Sequence, residues 1–104
     1  MQRPRTAKEY FELVDQTLFE IEELRWSAEY DAEDLGGALK FLDPLEAEVR
    51  KLRAQMLDGT YHFGNADLQF MEIVAQQNTA LLPFKSLLQS INQTHKHGLL
   101  VDEE

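Results

Sequence analysis

At 104 residues, 43% of them hydrophobic and 28% charged, the chain has the size and composition of one globular domain, which excludes a disordered or fibrous class. It contains no cysteine, which excludes disulfides, thiolate zinc sites and thiol catalysis and suits a reducing compartment. Nineteen acids against ten bases leave a formal net charge of −9, a field that repels phosphate backbones and argues against direct nucleic-acid binding.

Thr6 followed by Glu9 has the form of a capping box, in which the threonine hydroxyl accepts from an amide three residues on and the glutamate reaches back. From that start Phe11, Val14, Leu18 and Ile21 recur at four- and three-residue spacing, and Tyr10, Leu13, Leu24 and Ala28 widen the stripe, so the pattern predicts a helix facing a core. Residues 9 to 34 hold ten acids against one base, Arg25, so the negative field belongs to this helix. Its other side is unusual. Phe19, Trp26 and Tyr30 fall at seven- and four-residue spacing among Glu12, Asp15, Glu22 and Glu23. Either another part of the chain covers these rings, or they form an interaction surface for a partner or a second copy.

Gly36-Gly37 is the expected break after the first helix, and Ala38 to Leu42 is too short for its periodicity to separate a helical turn from an extended piece. Asp43, Pro44 and Glu46 combine a capping acid, proline at a first helical position and an acid near the first turn, which predicts a second helix start. Leu45, Val49, Leu52 and Met56 give that helix a narrow apolar seam, and Asp58-Gly59 ends it.

Between Gly59 and Asp67, Tyr61, His62 and Phe63 stand in a loop flanked by glycines. They read either as a binding loop beside the Trp26 face or as a plug for the end of a bundle. Leu68, Phe70, Met71, Ile73, Val74 and Ala75 surround most of a short third helix. After the polar run Gln76 to Thr79, in which Asn78 or Thr79 can cap, Leu81, Phe84, Leu87, Leu88 and Ile91 mark a fourth helix with Pro83 near its first turn. It ends at Lys96, His97 and Gly98. His95 falls on the apolar stripe of that helix and His97 on nearly the opposite side, so the pair is no helical chelate.

The amino-terminal acidic helix, Leu35-Gly36-Gly37-Ala38-Leu39 and Gly59-Thr60-Tyr61-His62-Phe63 resemble scattered pieces of bacterial frataxins, a likeness that would imply iron binding on an acidic ridge. Between Asp43 and Gly59, where a frataxin runs through sheet strands, this sequence predicts a capped helix, and the family is not assigned.

The expected architecture is all-α: one domain over 1–104, a bundle of four helices near 6–33, 43–58, 66–79 and 80–97, with flexible ends at 1–5 and 99–104. The third and fourth helices are expected at its centre and the second at its periphery. No catalytic motif or cofactor loop is present, and no apolar run approaches the roughly 20 residues a membrane helix needs. The expected function is therefore non-catalytic: a cytoplasmic interaction or adaptor module that binds a protein partner of basic character, or a second copy of itself. Phe19, Trp26 and Tyr30 would carry the contact, with Tyr61, His62 and Phe63 beside them. The alternatives are metal binding by first-helix carboxylates with His62, and an acidic inhibitor that mimics nucleic acid.

Overall fold

A computed structural model describes residues 3–99. The fold is an all-α bundle, and no strand forms among the described residues. The sheet implied by the frataxin-like fragments is therefore not there, and those fragments lie in helices, a turn and a loop.

Helix α1 spans Ala7–Tyr30 and starts where its cap predicts. Thr6 is extended at φ −129°, ψ 160°, and its Oγ1 accepts from Glu9 N at 3.1 Å, satisfying one of the free donors of the first turn. The reciprocal bond lands one residue earlier than in the usual box, since Glu9 Oε1 accepts from Arg5 N at 3.2 Å. Ahead of the cap, Pro4 is buried and Arg3 Nη1 donates to Gly98 O at 3.3 Å, so the expected frayed arm is docked from Arg3 onward. Of the flexible end expected over 99–104, Leu99 is instead half-buried against the core, and the rest lies outside the described residues.

After α1 the chain turns through α2 (Ala32–Leu35) and a 3-10 turn (Gly36–Ala38) directly into α3, Leu39–Asp58. Here the structure corrects the expected start at Asp43. Pro44 lies inside the helix and removes only one backbone bond, while Phe41 and Leu42, one turn earlier, are fully or almost fully buried. Two such side chains contribute about 3–6 kcal/mol together, which matches or exceeds the roughly 3 kcal/mol cost of an interior proline. Asp43 is thereby freed from capping and pairs with Arg25 instead, Nη1 to Oδ1 at 2.6 Å. Gly59, at φ +81°, ends α3 in the left-handed conformation expected of a glycine C-cap.

The expected 66–79 helix contracts to α4, Met71–Ala75. Its amino-terminal half is drawn into a bend by Asn92, whose Oδ1 accepts from Leu68 N at 2.8 Å and whose Nδ2 donates to Asp67 Oδ1 at 2.9 Å. Asp67 is also paired with Lys96 at 3.2 Å, so it ties this bend to the next helix rather than capping α4. Asn78 Oδ1 accepts from Ala80 N and Leu81 N, closing a local turn before Pro83. Helix α5 then runs Lys85–His97.

The core is shared by α1, α3 and α5 and closed by Phe70 and Val74 of the α4 region. Tyr10, Val14, Ile21, Leu24 and Ala28 face inward from α1, Phe41 to Leu52 from α3, and Leu87, Leu88 and Ile91 from α5. The α1–α3 pair is the most extensive helix contact of the fold, which reverses the expectation that the second helix is peripheral and the third central. Ion pairs line this seam. Arg25 bridges Asp43 and Glu46, Arg50 Nε meets Glu46 Oε2 at 2.6 Å, and Arg53 Nε meets Asp15 Oδ1 at 2.5 Å while its guanidinium lies 4.9 Å from the Phe11 ring. The Arg50 and Arg25 partners hold the Glu46 carboxyl below its ordinary value against the opposing effect of burial.

Candidate functional site

The inward face of α1 determines where its remaining side chains point. With about 100° of rotation per residue, Trp26 and Tyr30 lie within about 20° of Phe19 around the helix axis, on a stripe roughly 16 Å long. Phe19 is 61% exposed, Trp26 74% and Tyr30 94%. At about 150–250 Å² per aromatic side chain, these fractions leave on the order of 500 Å² of ring surface in water. Among the described residues, no other element covers this face.

That area equals the largest apolar patches of ordinary monomers, about 300–600 Å², which are often functional. Trp26 and Tyr30, with Ser27 and Asp31, border a shallow cleft of about 470 Å³ at the carboxyl end of the helix. Asp31 N donates to Ser27 O at 2.8 Å and closes the helix there, and the last turn carries no basic residue to offset the negative end of the helix dipole. Glu22 and Glu23 lie along the rings and Glu29 beside their far end. Glu22 has a long contact of 3.8 Å to Arg50, whereas Glu23 and Glu29 make no ion pair among the described residues.

Tyr61, His62 and Phe63 are at the other end of the molecule. Tyr61 stands against Tyr10 with ring centroids 5.8 Å apart, and Phe63 stacks on Tyr10 at 6.0 Å and 10°. Since Tyr10 and Trp26 are 16 residues apart on one helix, about 24 Å separates the two aromatic groups, and the loop does not extend the Trp26 face. Tyr61 is half-buried as a plug, Phe63 is 49% exposed, and His62 is exposed. A groove of about 520 Å³ runs beside Phe63 between Phe11 and Met56, with Leu57 exposed on its rim. The sequence reading missed Leu57, which lies outside the seam of its helix.

The plug contains a hydrogen-bond chain. The Tyr10 hydroxyl donates to Ile91 O at 3.0 Å and lies 3.1 Å from the Tyr61 hydroxyl, which lies 2.7 Å from His95 Nδ1. All three contacts are satisfied only if His95 Nδ1 carries a proton and donates to Tyr61, which donates to Tyr10. Burial pushes the Tyr10 and Tyr61 hydroxyls up and holds the His95 imidazole below its ordinary value. His95 is therefore an end-cap histidine that carries a proton on Nδ1, and the chain is structural.

Among the described residues, no group of three or more His, Asp or Glu side chains comes together to hold a metal ion. Among the described residues, no histidine is hydrogen-bonded to a serine or a carboxylate. What the α1 face offers chemically is contact: flat aromatic surface, carboxylates and a negative helix end. Comparison with models of protein families, with curated proteins and with solved structures finds no match.

No helix among the described residues is long and apolar enough to cross a membrane.

Proposed function

We propose that this protein is a non-catalytic binding module, acting in the cytoplasm, that engages a protein partner through the Phe19, Trp26 and Tyr30 face of α1. The observation that carries the reading is the exposure of these three rings on one side of a helix whose other side is core. A stable interface buries about 800 Å² on each partner, and the roughly 500 Å² of ring surface is enough to form its centre. At about 25 cal/mol per Å² its burial contributes on the order of 12 kcal/mol gross, within reach of the 4–15 kcal/mol that association costs.

The test is a protein carrying Trp26→Ala and Tyr30→Ala together, compared with the unaltered chain as bait in lysate and by sedimentation. The expected result is loss of specific retained proteins, or of a self-associated species, with circular dichroism unchanged. Identical retained proteins and identical sedimentation would refute the reading.

A further inference from the structure

We propose that the occupant of this face is a basic protein segment, whose arginine or lysine side chains lie over Trp26 and Tyr30 while its apolar residues cover Phe19. The inference rests on the reading of the face as a protein-binding surface and names the chemistry of the ligand.

Three features at one place converge on a cation. The Trp26 and Tyr30 rings present exposed π-faces, and indole is the best aromatic partner for a guanidinium or ammonium group. The carboxyl end of α1 carries partial negative charge with no basic residue in its last turn. Glu23 and Glu29 add full charges that no ion pair among the described residues neutralises. The one base on this helix after Lys8, Arg25, is already held between Asp43 and Glu46, so it cannot serve as the face's own counter-charge.

The same charges argue against a second copy. Pairing two of these faces brings two sets of carboxylates together on chains of formal charge −9 each, and among the described residues no cation pairs with Glu23 or Glu29 to offset them. A nucleic acid or an anionic lipid surface meets the same repulsion. A basic amphipathic helix of about 11 residues, three turns, matches the roughly 16 Å length of the stripe and brings the missing counter-charge with it.

Trp26 is the only tryptophan, so intrinsic fluorescence reads this face directly. The probes are a synthetic amphipathic leucine/arginine peptide of about three to four turns, the same peptide with citrulline for arginine, and a leucine/glutamate version. The arginine peptide is expected to shift Trp26 emission saturably and the citrulline peptide to bind about tenfold more weakly, a difference of about 1.4 kcal/mol. Raising salt from about 50 to 200 mM weakens the arginine peptide, and Glu23→Gln with Glu29→Gln weakens it about threefold. By calorimetry, the protein with Trp26→Ala and Tyr30→Ala loses at least about tenfold in affinity.

Equal binding of the arginine and citrulline peptides would overturn the proposal. So would equal binding by the doubly substituted protein, because the peptide would then be reading net charge alone. If bait experiments show partners lost with Trp26 and Tyr30 while the arginine peptide has no advantage, the face is a binding surface and the basic occupant is wrong. If neither changes, the face itself is not the binding surface.

Discussion

The two faces of α1 make opposite predictions for alanine substitution. Ile21 is fully buried, so Ile21→Ala removes its contacts and opens a cavity, at about 2–5 kcal/mol. In a domain of this size about 3 kcal/mol lowers Tm by roughly 12–24 °C. Tyr30 is 94% exposed and has on the order of 15 Å² to lose, worth about 0.4 kcal/mol, which the better helix propensity of alanine offsets. Trp26 covers on the order of 60 Å², or about 1.5 kcal/mol before the same offset of about 0.5. The protein carrying both Trp26→Ala and Tyr30→Ala should therefore lose only about 1 kcal/mol. Urea unfolding followed by circular dichroism measures both variants, with an unchanged m-value as the check that the transition stays two-state. A loss of 3 kcal/mol or more in the doubly substituted protein would refute the reasoning, because it would mean that the chain itself covers the rings.

Three further outcomes follow from particular groups. Gly59 sits at φ +81° with open space where a Cβ would stand, so Gly59→Ala should cost about 1 kcal/mol by backbone strain alone and Gly59→Asn less, both read by urea unfolding. His95 has a folded pKa depressed by burial, so the unfolded chain binds the proton more readily; stability should fall as pH drops below the ordinary histidine value of about 6.5, and His95→Gln should flatten that slope. Glu46 also has a depressed folded pKa, held down by Arg50 and Arg25; its contribution is present above about 4.5 and lost as pH falls through the lower folded value, a loss that thermal melts of Glu46→Gln should not show.

The parts of the fold that were legible in the sequence are those where a local signal and the core agree. Thr6 with Glu9 starts α1 at the expected place, Gly59 ends α3, and of the stripe expected in the last helix Leu87, Leu88 and Ile91 are buried in α5 and Phe84 at its cap, while Leu81 is half-buried in the turn before it. The failures share a cause, which is that tertiary contact overrode a local rule. Proline at 44 reads as a first helical position, yet burial of Phe41 and Leu42 carries the helix past it. Residues 66–79 read as one helix, yet Asn92 captures Leu68 N and Asp67, and a polar side chain from 24 residues away leaves no mark in local periodicity. The aromatic face was legible as a stripe from spacing alone. Whether it was open to solvent was not, because that depends on where every other element packs.

That distinction makes the proposed contact depend on the arrangement of charge around the rings. Arg25 is the one cation within the acidic stretch 9–34, and an exposed arginine there would have paired with Glu22 or Glu29, one turn away along α1. Instead the fold turns it inward, where Asp43 and Glu46 outweigh the cost of its partial burial and fix α1 to α3. This pairing thus ties α1 to α3 and leaves the stretch of the outer face from Phe19 to Tyr30 with carboxylates and rings but no base from α1 itself. Arg25→Met separates these consequences. It should loosen the α1–α3 seam by about 1–2 kcal/mol, since one partner of the pair is largely exposed and the other half-buried. Binding of the arginine peptide should stay within about twofold, because the altered side chain points away from the rings. A large fall in peptide affinity with helicity intact would show that Arg25 acts on the outer face, and the division of α1 into a core side and a contact side would have to be abandoned.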